Sequence, residues 1–221
     1  MRIILLFLGY FFFTLHIQAQ NKGLGQNDPN AKKILDQVSA KFKTYKGVKA
    51  QFVFRNEDNK GKLLGSKKGA LFMKGSKYRV TLTGGQDIYC DGVTISTYDP
   101  SVNEVTITKV DPTQNGITPQ KLFTNFYDKD FLYKLNGEKK QGSQTLYEIE
   151  LTPVDKTKSF FKVYLLVDKN TSTIYSTKVL DKSGVNFIYT VSSLNGNTVV
   201  PDATFVFDKK LFPGVEVVDL R

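Results

Sequence analysis

The sequence predicts a mainly β protein. Its core is one continuous antiparallel sheet of about eleven strands, curled or closed into a barrel, with amphipathic helices laid against it. Three observations carry that prediction. After Gly47 the apolar period changes from helical to two and stays there for most of the chain. Turn signals such as Asn136-Gly137, Lys182-Ser183-Gly184 and Asn195-Gly196 separate the strand-like runs at meander spacing. Only residues 28–47 and 118–128 interrupt the alternation with helical patterns.

The chain opens with a basic Arg2, an apolar run from Ile3 to Leu15, and Ile17-Gln18-Ala19 before Gln20. That is the layout of a secretory leader, residues 1–19, cleaved after Ala19; the run is too short to span a membrane. A retained signal anchor is the alternative. Residues 20–27 read as a flexible polar linker, and 28–221 as a single domain. Asp28 suits an N-cap and Pro29 the first helical position. Ala31, Ile34, Leu35, Val38, Phe42 and Tyr45 share one face, and Gly47 ends the run.

The strands follow in order. Ala50, Phe52 and Phe54 alternate with Gln51, Val53 and Arg55, then come GALFMK and KYRVTLT. In DIYCDGVTISTYD, Asp91-Gly92 predicts a type I′ hairpin in which Cys90 faces Val93 and Ile88 faces Ile95. NEVTITK, FLYKL, TLYEIELTP, FFKVYLLVD, TIYSTKVLD, NFIYTVSSL and TFVFD complete the strand set. Between them, TPQKLFTNFYD predicts a short helix capped by Thr118-Pro119, with Leu122, Phe123 and Phe126 on its apolar face. Such a helix must cover apolar surface or expose a patch.

Composition narrows the chemistry. Loss of residues 1–19 would remove Arg2 and the only histidine, His16, leaving a net charge of about +9 from a full-chain value of +10. Ser-His-Asp and Cys-His triads and histidine zinc sites are then excluded. The lone Cys90 has no partner for an internal disulfide and no histidine to activate it, so it reads as a small apolar strand residue. The acids lie scattered in polar turns. No metal site and no cofactor is expected, and export disfavours nucleic acid. The lysines could attract anionic headgroups or an acidic docking surface, or serve solubility alone.

FFKVYLLV is apolar on both sides: Phe161, Val163, Leu165 and Val167 form one row, and Phe160, Tyr164 and Leu166 most of the other. A sheet apolar on both faces is covered on both or lines a cavity. An ordinary double-sided core and a greasy cavity under helical flaps both remain open here.

Several segments, taken in order, resemble the LolA family of periplasmic lipoprotein carriers. Gly69 to Arg79, GALFMKGSKYR, is similar to its G-x-L-x-x-K segment followed by an aromatic and a basic or polar residue. Cys90-Asp91-Gly92 with Tyr98-Asp99 resembles its D-G…Y-[DN] hairpin, and Thr118-Pro119 with Leu122 its mid-chain helix. Phe205, Phe207, Pro213, Gly214, Val215, Val217 and Asp219 match its F-x-F…P-x-G-V-x-V-x-D ending. The resemblance implies an incomplete barrel closed by a helical lid over an apolar cavity for acyl chains. It implies a periplasmic, monomeric protein that shuttles acylated lipoproteins from an inner-membrane ABC transporter to an outer-membrane acceptor. One departure stands out. Some members carry an arginine directly after the segment's lysine that contacts the lid; here Gly75 takes that place, which implies an easier-opening lid, with Lys77 and Arg79 the nearest substitutes.

The expected cavity lining is Phe52, Phe54, Leu71, Met73, Tyr78, Val80, Ile88, Ile95, Tyr147, Ile149, Leu151, Phe161, Val163 and Leu165. The expected lid residues are Ile34, Leu35, Val38, Leu122, Phe123 and Phe126. A one-residue register error would turn a whole row to the other face. Two other uses of such a fold are a periplasmic lipid- or lipoprotein-binding or sensing protein, and a histidine-free enzyme acting on a small apolar substrate.

Overall fold

A computed structural model describes residues 27–111 and 127–221. The chain begins with α1 (Pro29–Lys43) and continues through β1 (Val48–Asp58), β2 (Leu63–Lys74), β3 (Lys77–Leu82), β4 (Asp87–Cys90), β5 (Thr94–Asp99) and β6 (Glu104–Lys109). A short helix, α2 (Tyr127–Asp130), leads into β7 (Phe131–Gln141), β8 (Gln144–Pro153), β9 (Phe160–Asp168), β10 (Ile174–Asp181) and β11 (Val185–Asn195). β12 (Glu216–Asp219) ends it. All twelve strands form one sheet in the order β12-β6-β5-β4-β3-β2-β1-β11-β10-β9-β8-β7. The sheet does not close: β12 and β7 are its two edges.

α1 forms as its sequence dictates. The Asp28 carboxylate accepts from the Asn30 N–H at 2.8 Å, and Pro29 occupies the first turn. Ala31, Ile34, Leu35 and Val38 are buried, so the helix lays its one apolar stripe on the sheet. The residues before it also finish the β7 edge. Asn27 Oδ1 accepts from the Tyr133 N–H at 3.0 Å, Asp28 Oδ2 accepts from the Leu135 N–H at 3.1 Å, and the Asp28 N–H donates to the Tyr133 carbonyl. An edge strand's unpaired backbone groups are thereby satisfied where α1 begins.

The structure corrects several expectations. TFVFD is not a strand: Asp202–Phe205 is a 3-10 helix, with Pro201 before it and Phe205 1% exposed against the sheet. The final strand is β12, and it runs parallel to β6. The C-terminal arm crosses the sheet face and returns to it in the same direction as β6, so the sheet is not wholly antiparallel. The β4–β5 hairpin is not a two-residue I′ turn. Cys90 pairs with Ile95 and Ile88 with Thr97, and only Gly92 in the turn has positive φ. The Asp91 carboxylate accepts from the Val93 and Thr94 N–H groups and so braces a wider loop. Asn136-Gly137 is a bulge within β7, and the turn falls at Gly142 instead. The predicted helix over 118–128 lies outside the described residues as far as Phe126.

Candidate functional site

The site is built on the sheet face that carries α1. Period-two alternation turns Val48, Ala50 and Phe52 of β1, Leu71 and Met73 of β2, Tyr78 of β3, Ile149 and Leu151 of β8, and Val163, Leu165 and Val167 of β9 to that side. They form one apolar cluster with Ile34, Leu35 and Val38 of α1. Phe54, Val80, Ile88, Ile95 and Tyr147 are partly buried and pack against it. The expected lining thus shares one face, with one exception. Leu122, Phe123 and Phe126 lie outside the described residues.

Phe161 lies on the opposite face, 47% exposed, while Phe160 is 4% exposed in the cluster. The cause is a bulge. β10 pairs Leu180 with Lys162 but Asp181 with Phe160, so one residue is skipped and the alternation reverses at the start of β9. Strict period two extended from Val163 points the wrong way here.

The structure adds residues the sequence reading missed. β11 lies beside β1, with Phe54 opposite Tyr189 and Phe52 opposite Val191. Phe54 stacks on Phe187 at 6.2 Å between centroids and approaches Tyr189 at 5.1 Å. Tyr189 is 39% exposed, so this aromatic group reaches the surface. The row Phe187, Tyr189, Val191 is visible in NFIYTVSSL; its neighbour is not. Gly69 has a packing reason: an added Cβ would lie 2.4 Å from the Phe52 ring. The bare glycine lets that ring lie across β2.

Cys90 is 2% exposed beside Tyr78 on the same face. Burial pushes its thiol up, which opposes thiolate chemistry. Burial also pushes the Tyr78 phenol up, with Cys90 adding to the effect. Both side chains are neutral parts of the apolar surface. Among the described residues, no three of His, Cys, Asp and Glu converge to hold a metal.

Lys77 and Arg79 both lie on the opposite face. Lys77 pairs with Asp202 at 3.3 Å, and Arg79 pairs with Asp87 at 3.2 Å while lying over the Tyr89 ring at 4.5 Å. That face differs in kind. It carries a groove of about 790 Å³ lined by Arg55, Glu57, Lys139, Glu148, Tyr164 and Lys178 among others. Lys178 pairs with Glu57 at 3.3 Å, Lys162 with Glu150 at 2.7 Å, and Lys139 with Glu148. Its charges are neutralised locally.

The fold and site define an open, helix-covered sheet with a large apolar cluster on its inner face. The outer membrane lipoprotein carrier protein LolA family model matches residues 43–208, and the chain belongs to that family. Solved structures share the fold at low identity. An uncharacterized conserved protein from Thermus thermophilus superposes with a TM-score of 0.57 at 14% identity, covering 86% of this chain and 99% of that one. The Mycobacterium tuberculosis lipoprotein LppX gives 0.51 at 12% identity, covering 79% and 100%. MucB gives 0.50 at 15% identity, covering 88% and 67%. No curated protein sequence matches significantly. Among the described residues, no helix is long and apolar enough to cross a membrane.

Proposed function

We propose that the protein is a periplasmic carrier. It takes the acyl chains of lipoproteins onto its helix-side apolar face and shuttles them from the inner to the outer membrane. The observation that carries this reading is that face itself, running from β3 through β9 beneath α1 in a chain of the LolA family. The physics of the task supports it. Each buried methylene is worth about 0.8 kcal/mol, so an acylated protein cannot cross water unshielded. A carrier needs apolar surface of comparable extent that it can also give up. The donor is an inner-membrane lipoprotein-releasing ABC transporter, and an outer-membrane acceptor receives the cargo. The protein works as a monomer without a cofactor and performs no covalent chemistry.

The test is a release assay. Inner-membrane vesicles that bear the transporter and labelled lipoproteins are given ATP with or without the protein. The reading expects acylated lipoprotein in the supernatant only when both ATP and the protein are present. Equal release without the protein would sink it.

A further inference from the structure

We propose that the groove on the face opposite α1 binds a small amphiphilic monocarboxylate, in which an apolar spacer separates the carboxylate from one hydrogen-bonding group. The site is separate from the helix-side face and does not rest on the carrier reading. The strands themselves make it. Pairing between β9 and β10 is irregular at Ile174/Ser176 and again at Leu180/Asp181. Such irregularities bend and twist a strand, and between them β10 turns Ser176, Lys178 and Leu180 to the groove. Lys178 lies between Ile188 of β11 and Tyr164 of β9, and Ser176 pairs with Leu166. Tyr164, Leu166, Leu180 and Ile188 form an apolar floor, with Ile188 only 5% exposed. The volume, about 790 Å³, suits a small molecule.

Two polar groups beside that floor have unused hydrogen-bonding capacity. Ser176 is 7% exposed and lines the groove, yet among the described residues nothing bonds to its hydroxyl. A hydroxyl held so deep without a partner costs free energy that a ligand group would recover. Arg55 lies across β11 from Lys178, since both pair with Ile188. Its guanidinium approaches Glu57 only to 3.7 Å, beyond hydrogen-bonding distance. Lys178 holds the same carboxylate closer, at 3.3 Å. Arg55 therefore keeps its planar fork of donors for the groove.

Charge selects the ligand. Ion pairs balance this face at Lys139–Glu148 and Lys162–Glu150, but Glu57 serves both Lys178 and Arg55. That one corner keeps a single positive charge. A monoanion fits it, whereas Glu57 and Glu148 in the lining oppose a dianion such as a phosphate monoester. The guanidinium fork favours a carboxylate, gripped by two parallel hydrogen bonds. Spacing sets the rest. Ser176 lies two strands over and two residues along from Arg55, roughly 12 Å between backbones. A ligand that reaches both carries several methylenes across Ile188, presents an amide or similar group to Ser176, and ends on Leu166 and Tyr164.

The probe is N-benzoyl-ε-aminocaproate, titrated into the isotope-labelled protein and followed by heteronuclear NMR and calorimetry. The expected result is saturable binding that weakens with added salt. Amide signals of Ser176, Lys178 and Ile188 should shift, and those of Leu71 and Met73 on the helix-side face should not. Arg55→Gln should lower affinity at least tenfold, and Arg55→Lys should recover only part of it, because an ammonium lacks the fork. Ser176→Ala should lower affinity about fivefold while the melting temperature holds or rises, the reverse of what a structural hydroxyl would do. The methyl ester of the probe should bind more weakly than the acid, and equally to the wild type and Arg55→Gln. Val93→Asp, at a site 70% exposed on the β4–β5 loop, should leave binding unchanged. Absence of saturable binding at millimolar probe would overturn the proposal. So would shifts on the helix-side face in place of the groove, an ester that binds as tightly as the acid, or a Ser176→Ala variant with wild-type affinity.

Discussion

The two faces of the sheet are made by the same strands and solve different problems. On β8 and β9 the helix side receives Ile149, Leu151, Val163 and Leu165, each 2% exposed or less. One residue away, the other side receives Glu148, Glu150, Lys162 and Tyr164, where Lys162 pairs with Glu150 and Lys139 of β7 with Glu148. The first surface must be covered. The second is finished locally by charge, and over β3–β6 by the C-terminal arm, where Phe207 meets Tyr89 at 5.6 Å and Phe212 at 4.6 Å between centroids. On β8 and β9 alternation thus separates a side that demands an apolar partner from an ion-paired side that does not, while over β3–β6 the second face finds its apolar partner in the C-terminal arm.

That contrast can be broken most severely at the centre of the helix side. Leu151 is fully buried, so Leu151→Asp places an unpaired charge in the cluster. It should cost more than about 4 kcal/mol and abolish the folded state in a urea titration. Gly69→Ala probes the same face more gently. Its new Cβ would strike the Phe52 ring, and the displaced ring should cost about 1–3 kcal/mol, read as a lower urea midpoint.

A loop brace comes next. Burial pushes the Asp168 carboxyl up, but the Thr171 and Asn170 N–H groups, the Thr171 hydroxyl and Gln144 outweigh it and hold it below the usual range. Its folded value is below its unfolded one, so its stabilisation is complete above roughly pH 4 and fades as pH falls through the folded value. Asp168→Asn should therefore cost about 1 kcal/mol near neutrality, and the gap between the two melting curves should narrow in acid. The smallest effect is expected on the opposite face. The Lys178–Glu57 pair is partly solvated, so Lys178→Met should change stability by less than about 1 kcal/mol. A larger loss there would mean that the ion-paired face is a second core and that the contrast is false.

Much of the fold was legible in the sequence, and the reasons are local. Asp28-Pro29 with its apolar stripe gave α1, and period-two runs gave β1 to β11. What escaped depends on long-range partners. Nothing local says that β11 lies beside β1, so Phe187 and Tyr189 were absent from the expected lining. The bulge that turns Phe161 outward exists only in its pairing with β10. TFVFD alternates like a strand, yet Phe205 serves the opposite face from a 3-10 helix. The hairpin at Asp91-Gly92 was read from a dipeptide, whereas the Asp91 carboxylate sets the loop.

Whether the helix-side face holds acyl chains is read by native mass spectrometry of the protein taken gently from its own host. A co-purifying acylated polypeptide is the expected result. A protein that emerges empty and also fails to take up an environment-sensitive apolar dye would contradict the account, because its inner face would then be filled by its own side chains.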